Sequence, residues 1–339
     1  MRANGGRDVS GFREAVGELD LMVMPLKALR DVVGGCEYLD AGWASGVLEE
    51  KRASGDNAYE VEYREGRRYD LGANATAIAI ALHGEGSERR MAVVDLPNKC
   101  VAMFNVESGE RTATVGSGGW GPGQFLWPTG VAFSRTGELY LGHFELHRIS
   151  VFDRQGGFVR EFGRKGRGQG EFRRPQGLCF TADGHLVVAD CYNHRVQILR
   201  EDGTFVRAFG SYGSGEGQFE YPSDVSVGPD GSIAVVDHLN YRVEVFDEAG
   251  VFVRSIGSKG EGPGQFMNPV GVAVGGGGEI IVSDFSRKDV QVFGREGELL
   301  QIIGAGGDSD VAFDGPARVS TDGEGRLFVS DQQRVRMLS

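Results

Sequence analysis

Cysteine is scarce in this sequence. Four cysteines occur among 339 residues, Cys36, Cys100, Cys179 and Cys191, and no two of them form a Cys-x-x-Cys pair. This pattern excludes a cysteine-rich zinc module and argues against a disulfide framework. We therefore expect reduced thiols and a cytoplasmic location.

Long apolar runs and an excess of positive charge are also absent. Residues 1–30 are interrupted by Glu18, Asp20, Pro25 and Lys27, so we expect no signal peptide or membrane helix there. The net charge of -12 repels nucleic acid and anionic membrane surfaces unless basic residues are concentrated locally. We accordingly predict neither DNA nor a membrane as a partner.

A repeat with a period of 47 residues dominates what is present. A Gly-Gln-Phe triplet or a near copy is followed, three residues after its Phe, by a proline. The pairs are Phe125/Pro128, Phe172/Pro175, Phe219/Pro222, Phe266/Pro269 and a degenerate Phe313/Pro316. A fixed period of this size indicates a repeat architecture, in which neighbouring units must stack to bury their apolar faces.

Each unit has the pattern of four short antiparallel strands. Between Pro175 and Gly210, apolar or alternating segments are separated by hairpin signals at Asp183-Gly184 and Asp202-Gly203. A weaker copy precedes the others and makes six units, and six four-stranded sheets arranged radially form a closed ring. We therefore predict an all-β fold, a six-bladed β-propeller. Its repeats are expected at about 75–116, 117–163, 164–210, 211–257, 258–304 and 305–339.

The last unit lacks a fourth strand, because the sequence stops after Arg334 to Leu338. A β-rich segment before the first unit can supply it, and a ring left open is the alternative. Since uncovered apolar edges are normally protected, we predict a propeller over residues 59–339 that is closed by an N-terminal strand at about 67–71. Residues 1–58 do not follow the period, and we predict an irregular, partly helical segment of unknown role there.

The repeat consensus resembles the NHL repeat. It reads Gly-x-Gly-Gln-Phe-x-x-Pro-x-Gly-Val, then Asp-Gly, then Val-x-Asp-x-x-Asn-x-Arg-Val-x-Val-Phe, then Asp-Gly-x-Phe-Val-Arg-x-Phe-Gly. One copy lies in Gly215 to Val225 and Val235 to Phe246, and another in Val188 to Leu199 and Asp202 to Gly210. The propeller that ends the tripartite-motif NHL proteins of animals is most similar.

This resemblance implies a non-catalytic recognition module, like the substrate-recognition part of a RING ubiquitin ligase. Those relatives carry a RING finger, B-boxes and a coiled coil upstream of the propeller, whereas the cysteine count rules out a RING finger here. Several of them bind RNA on one face of the propeller. The resemblance therefore implies recognition rather than ligase activity for this polypeptide.

Six charged residues of the repeat are interpreted as scaffold. They are Asp190, Arg195, Asp237, Arg242, Asp284 and Asp331. Each Asp ends a second strand and is expected to accept turn hydrogen bonds, and Asp190 and Asp237 are expected to pair with the Arg that opens the third strand. A ring of acidic ligands around the central channel is the alternative, but structural ion pairs repeat with a scaffold whereas active sites usually do not.

Three histidines lie on one side of the predicted ring, His143, His194 and His238. A six-bladed amidating lyase of related repeat type holds zinc with histidines on such a face, but the offsets within the repeat differ here. We therefore predict no metal and no cofactor. No Ser/His/Asp or paired-carboxylate pattern stands out, so a propeller enzyme such as a metal-dependent lyase is the third hypothesis for function.

The loops that enter the blades carry most of the residues that we predict to bind a partner. Residues 163–175 hold five basic residues and one acidic residue, whereas residues 210–222 hold two acidic residues and no basic one. In a propeller such a loop opens on the same face as the turn between the second and third strands, here residues 190–194. The predicted binding residues are Arg164, Lys165, Arg167, Arg173, Arg174, Trp127, Phe144, Tyr192, Asn193, His194, Tyr212 and Tyr221.

Basic residues beside aromatic ones suit two kinds of ligand. Trp, Tyr and Arg dominate protein hot spots. The same residues suit single-stranded or hairpin RNA, since arginine holds phosphates and rings stack on bases. Because the acidic balance disfavours nucleic acid, a protein partner is the first hypothesis, RNA in post-transcriptional regulation is the alternative, and a solvated loop without a partner is the remaining interpretation.

Overall fold

The computed structural model describes residues 65–72, 74–304 and 311–339. The helical stretches expected within residues 1–58 lie outside this part of the chain. The described residues form six four-stranded antiparallel sheets, so the predicted six-bladed β-propeller is confirmed. Their helical content is limited to three short 3-10 helices, Gly86–Glu88, Cys191–Asn193 and His238–Asn240.

Strand β1 (Glu65–Asp70) precedes the first blade. Blade 1 contains β2 (Ala77–His83), β3 (Arg90–Asp95), β4 (Cys100–Asn105) and β5 (Arg111–Val115). The loop into blade 2 holds a short parallel pair, β6 (Ser117–Gly118) and β7 (Gln124–Phe125). Blade 2 contains β8 (Pro128–Phe133), β9 (Leu139–His143), β10 (Arg148–Phe152) and β11 (Phe158–Phe162), and blade 3 contains β12 (Pro175–Phe180), β13 (Leu186–Asp190), β14 (Arg195–Leu199) and β15 (Phe205–Phe209).

The remaining blades repeat this plan. Blade 4 contains β16 (Pro222–Val227), β17 (Ile233–Asp237), β18 (Arg242–Phe246) and β19 (Phe252–Ile256). Blade 5 contains β20 (Pro269–Val274), β21 (Ile280–Asp284), β22 (Asp289–Phe293) and β23 (Leu299–Gly304). Blade 6 contains β24 (Pro316–Thr321), β25 (Leu327–Asp331), β26 (Arg334–Leu338) and the N-terminal strand β1. None of the described helices is long enough to cross a membrane.

The repeated phenylalanine packs between neighbouring blades. Phe172 is fully buried and packs with Tyr140 and Val151 of blade 2 and Leu178 of blade 3. A Cβ on Gly163, which follows β11, would come within 2.6 Å of the Phe172 ring. The Gly and the Phe of the motif therefore recur together because the ring lies directly on the backbone at the end of the preceding blade.

The N-terminal strand closes the ring, as predicted. Strand β1 pairs antiparallel with β26, and Tyr69 lies opposite Val335. The strand begins at Glu65 rather than at residue 67 and ends at Asp70. Leu71 lies outside the strand but is buried, and its N–H donates to the carbonyl of Gln333 (3.0 Å).

A network of ion pairs around the buried Arg89 and Asp322 also crosses this seam. Arg89, before β3, contacts Asp322 of blade 6 (Nη1–Oδ2 2.9 Å) and Glu324 (Nη2–Oε1 3.0 Å). In the reverse direction, Arg326 of blade 6 contacts Glu107 of blade 1 (2.8 Å). The two ends of the ring are therefore joined twice. Backbone hydrogen bonds connect β1 with β26, and side-chain ion pairs connect blade 1 with blade 6.

Candidate functional site

One face of the ring carries the loops that enter the blades and the turns between second and third strands; we call it the entry face. The Tyr192 N–H donates to the Arg173 carbonyl (3.0 Å), and the Asn193 Nδ2 donates to the Gly166 carbonyl (2.8 Å). Residues 163–175 and 190–194 are therefore neighbours. Asn193 is engaged in this framework, since the same amide also donates to Asp190 (2.8 Å).

Buried aspartates tie the entry loops of blades 3 to 6 to their sheets. The Oδ1 of Asp190 accepts the Arg173 N–H (2.7 Å), and its Oδ2 accepts the Arg195 Nε–H (2.8 Å). Arg195 in turn donates to the Glu171 carbonyl (3.0 Å). Burial raises the pKa of Asp190, and these hydrogen bonds act against that rise.

Blade 4 repeats the arrangement. Asp237 accepts the Glu220 N–H (2.6 Å) and the Arg242 Nε–H (2.8 Å). Burial likewise raises the pKa of Asp237. In both blades the carboxylate and the guanidinium hold the loop that carries the predicted binding residues.

Blades 5 and 6 depart from this pairing. Asp284 accepts backbone N–H groups, including those of Met267 (2.6 Å) and Ser286 (3.0 Å), while β22 opens with Asp289 where an arginine stands in blades 3 and 4. Arg287 pairs with Asp289 (2.8 Å) instead. Asp331 accepts the Asp314 N–H (2.9 Å), and its Oδ2 lies 3.0 Å from the Arg336 Nε. Arg336 stands at the strand position of Gln197 rather than of Arg195, because the turn before β26 is two residues shorter.

The three predicted histidines lie in separate environments. His143 is buried at the position of Asp190, its Nε2 lies 2.8 Å from the Ser150 hydroxyl, and burial lowers its pKa to about 3. The Nδ1 of His194 accepts the Tyr221 N–H (3.2 Å), and the Nδ1 of His238 lies 2.9 Å from the Pro269 carbonyl. No group of three or more His, Cys, Asp or Glu side chains suited to a metal ion occurs in the described part of the chain.

Aromatic side chains of blades 2 to 4 form one contiguous surface on the entry face, which we call the aromatic ridge. Its members are Phe144, Arg174, Tyr192, Tyr221, His194 and Tyr212. The Arg174 guanidinium lies over the rings of Phe144 (4.8 Å) and Tyr192 (4.5 Å). Tyr192 meets Tyr221 edge to face at 4.9 Å, and Tyr212 is 64% exposed at the end of the ridge.

The backbone is strained at three equivalent positions of the entry loops, two of which, Arg174 and Tyr221, belong to the ridge. Trp127, Arg174 and Tyr221 have φ values of 55°, 55° and 56°, a left-handed conformation that bulky residues rarely adopt. Asn268, the equivalent residue of blade 5, does not have a positive φ. The repeat therefore does not require this conformation, and strain of this kind, about 1–3 kcal/mol per residue, clusters at functional sites.

His147 supports this strained backbone and was missed by the sequence analysis. Its Nδ1 accepts the Arg174 N–H (3.0 Å), as His194 accepts that of Tyr221. Burial and the cations Lys165, Arg174 and Arg173 lower the pKa of His147 to about 4. The 47-residue offset from His194 is the pattern that could have identified it.

Three cations beside the ridge have no acidic partner among the described residues. They are Lys165 and Arg167, which are exposed, and Arg173, which is half-buried. In contrast, Arg164 pairs with Glu171 (2.8 Å) and Arg174 with Glu145 (3.4 Å). Lys165, Arg167 and Arg173 are therefore the basic residues that remain available to a ligand; we call them the free cations.

The central channel contains two residues of opposite charge, Asp224 and Arg318. Asp224 stands where four of the six blades have glycine or alanine, and its Oδ2 accepts the Val272 N–H (3.0 Å) and lies 3.7 Å from the Arg318 Nε. The cavity around them is about 300 Å³ and is lined by the innermost strands. Burial raises the pKa of Asp224. A Cβ on Gly177 would lie 2.3 Å from the Asp224 Oδ1, so the small neighbour makes room for this acid.

Glu244, beneath the entry loop of blade 4, lies at a position that is glutamine in blades 3 and 5. Gln197 donates its Nε2 to the Glu171 carbonyl (2.7 Å), and Gln291 donates to the Gln265 carbonyl (2.9 Å). Glu244 is fully buried; its Oε1 lies 3.0 Å from the Arg242 Nη2, and its Oε2 has no partner among the described residues. Burial raises the pKa of Glu244 to about 7.

Glu244→Gln should stabilise the protein by roughly 3 kcal/mol at pH 8 and by much less at pH 5, since one pKa unit corresponds to about 1.4 kcal/mol and the raised pKa already includes the ion pair with Arg242. The folded-state pKa lies above the reference value of 4.5. The stability that Glu244 contributes is thus complete below the unfolded-state pKa and is lost as pH rises through about 7. Urea unfolding of both proteins at the two pH values measures this difference. A difference that does not change with pH would contradict the assignment.

Comparisons with known proteins agree with this architecture. A model described as NHL repeat matches residues 172–199, and a model described as six-bladed beta-propeller matches residues 229–304. The protein thus contains an NHL repeat within a six-bladed propeller. None of the curated proteins matches the chain.

Solved structures similar to this chain include both enzymes and a protein complex. A gluconolactonase from Xanthomonas campestris has a TM-score of 0.62 and 18% identity, over 81% of this chain and 94% of that one. A catalytically inactive virginiamycin B lyase from Staphylococcus aureus with quinupristin has a TM-score of 0.58 and 13% identity, over 82% and 99%. A nidogen/laminin complex has a TM-score of 0.54 and 17% identity, over 68% and 80%. At these identities the likeness shows the fold alone.

Proposed function

We propose that this protein is a recognition module without catalysis of its own, and that it binds a protein partner through the aromatic ridge and the free cations. The observation that carries the proposal is the ridge itself, an ordered set of rings held by strained backbone and left open to solvent at Tyr212. Rigid aromatic side chains bind with a small loss of conformational entropy. Trp, Tyr and Arg are also the residue types that dominate hot spots.

The charges indicate what the partner presents. Lys165, Arg167 and Arg173 lie beside the ridge, and the entry loop of blade 4 next to it carries Glu216 and Glu220. A partner with acidic side chains next to an apolar anchor complements the basic side of this surface. The nidogen/laminin complex is a protein assembly on a similar fold, and it makes protein binding by such a ring physically reasonable.

RNA is the second candidate, supported by the same free cations and stacked rings. The resemblance to the tripartite-motif NHL propellers supports both a substrate-recognition role and RNA binding on this face. We propose a cytoplasmic location in either case, because the sequence has only four cysteines and no Cys-x-x-Cys pair, which argues against a disulfide framework.

Arg173→Glu and Tyr212→Ala should each weaken partner binding by roughly 1–3 kcal/mol while the fold stays intact, since hot-spot side chains on a scaffold contribute mainly to recognition. Arg173 holds Asp190 through its backbone N–H, so the side-chain change leaves that hydrogen bond in place. The measurement is capture of partners from cell extract on each immobilised variant, followed by titration of the captured partner.

Arg200→Glu is the matched control. Arg200 is exposed in the turn after β14, on the opposite face, and its side chain has no ion pair among the described residues. If Arg200→Glu loses as much affinity as Arg173→Glu, or if neither loses any, the entry face is not the binding surface. Binding that disappears after RNase treatment and falls steeply with salt would favour RNA over protein.

A further inference from the structure

A group of basic side chains converges on the face opposite the entry face, at the junction of blades 1 and 2. His83 ends β2, Arg90 opens β3, and Arg154 follows β10. A Cβ on Gly137 would lie 2.9 Å from the Arg90 Nη2, 2.9 Å from the His83 Nε2 and 3.2 Å from the Arg154 Nε. These three side chains, which we call the basic cluster, therefore surround one point.

The basic cluster contains no carboxylate. Neither Arg90 nor Arg154 pairs with an acidic side chain in the described part of the chain; Arg90 donates to the Arg154 carbonyl (3.1 Å) and lies over the Phe133 ring (5.6 Å). Burial and the charge of Arg154 lower the pKa of Arg90, with Glu88 acting in the opposite sense. Burial, Arg90 and Arg154 also lower the pKa of His83. Like charges are thus held together at a cost in free energy.

At the junction of blades 4 and 5, the equivalent arginine has an acidic partner, which the basic cluster lacks. Arg295 occupies the position of Arg154 three repeats later, and its Nη2 contacts the Asp230 Oδ2 at 2.7 Å. Asp230 lies in the turn that follows the innermost strand of blade 4. In blade 1 the corresponding turn carries Glu85 and Glu88, but within the described part of the chain neither forms an ion pair with Arg90 or Arg154. Arg154 is instead met by His83 and Arg90, the two residues that flank this turn.

A cavity of about 380 Å³ adjoins the basic cluster. Its walls include His83 and Arg135 together with the apolar side chains of Phe133, Phe180 and Pro229. His83 belongs to both the cavity and the cluster, and its ring lies 5.3 Å from that of Phe133. Apolar walls with a few convergent polar groups are typical of small-molecule sites.

We propose that the basic cluster binds an oxyanion, the phosphate or carboxylate group of a small organic molecule whose apolar part occupies the adjoining cavity. The anion takes the place that Asp230 takes beside the Arg295 Nη2. Its two or three oxygens accept hydrogen bonds from Arg90, His83 and the Nη groups of Arg154, whose Nε donates to the Thr136 carbonyl. This site is separate from the aromatic ridge, because it lies on the other face of the ring.

Phenyl phosphate and inorganic phosphate are the probes, added to the full chain with sodium chloride at equal ionic strength as the reference. We expect both to raise the Tm, phenyl phosphate more strongly because its ring enters the cavity. We also expect each anion to raise the pKa of His83, followed by NMR and assigned with His83→Gln, since a bound anion stabilises the imidazolium.

Arg154→Gln should weaken phenyl phosphate binding by about tenfold, the effect of losing one charge-assisted hydrogen bond. Arg200→Gln, at another exposed turn of the same face, should bind like the wild type. Equal binding by Arg154→Gln and wild type, or an unchanged His83 pKa in the wild type, would overturn the anion site. Equal affinity for the two phosphates would overturn the role of the cavity.

Discussion

Tyr69→Ala should lower the free energy of unfolding by about 3–5 kcal/mol, the usual cost of truncating a large buried aromatic side chain. Tyr69 is 1% exposed, and its ring packs on Phe104 of blade 1 (5.9 Å) and Phe328 of blade 6 (6.3 Å). Its hydroxyl donates to the Val106 carbonyl (2.8 Å). One side chain of the closing strand thus joins both ends of the ring, and urea unfolding measures its contribution.

Arg68→Ala is the control on the same strand. Arg68 is half exposed, and within the described ranges its one ion pair is with Glu65 (2.5 Å), so its loss should cost no more than about 1 kcal/mol. Two deletions make the same comparison for the whole strand: removing residues 1–72 takes β1 away from β26, whereas removing residues 1–64 leaves it in place. Equal stability of the two deletion variants would show that closure by β1 is dispensable.

Asp237→Ala should cost about 3 kcal/mol of stability, at the lower end of the range for breaking a buried ion pair. The change leaves the Glu220 N–H, the Asn240 amide and the Arg242 Nε without their acceptor. Arg242 retains its hydrogen bonds to the carbonyls of the entry loop, including that of Gln218 (2.9 Å). Because the guanidinium still has these carbonyl acceptors, the loss in free energy of unfolding is limited.

Asp230→Ala is the matched control for Asp237→Ala in the same blade. Asp230 pairs with Arg295 at the surface, so its removal should change the free energy of unfolding by less than about 1 kcal/mol. The folded fraction of Asp237→Ala should bind its partner normally. If partner binding were lost with stability unchanged, Asp237 would belong to the recognition surface rather than to the scaffold.

The repeat explains why so much of the architecture could be predicted from the residues. Turn glycines such as Gly184 and Gly203, both with φ of 87°, act locally, because each is the last residue of a three-residue hairpin loop, which requires a left-handed backbone at that position wherever it occurs. The Phe-x-x-Pro motif, here Phe172 and Pro175, recurs every 47 residues, and its proline marks the start of a blade's first strand. An incomplete last repeat then predicts that a strand from the other end must close the ring.

Charge pairing was less accessible to sequence reasoning. Arg173 and Arg174 are adjacent in sequence, yet Arg174 lies between two rings and pairs with Glu145 while Arg173 remains available. The pairing of Asp190 with Arg195 is local and repeats in blade 4, but Asp289 breaks it in blade 5. Single substitutions within a repeat change the partners without changing the fold.

The sequence by itself determined the number of strands and blades, the turn positions, the closing strand and the set of residues on the entry face, because these depend on local backbone chemistry and on a fixed period. Only the tertiary structure decided which cations are free and that His83, Arg90 and Arg154 meet at one point. Those relations join side chains of neighbouring blades. They depend on how one blade is placed against the next, and that placement leaves no periodic pattern in the sequence.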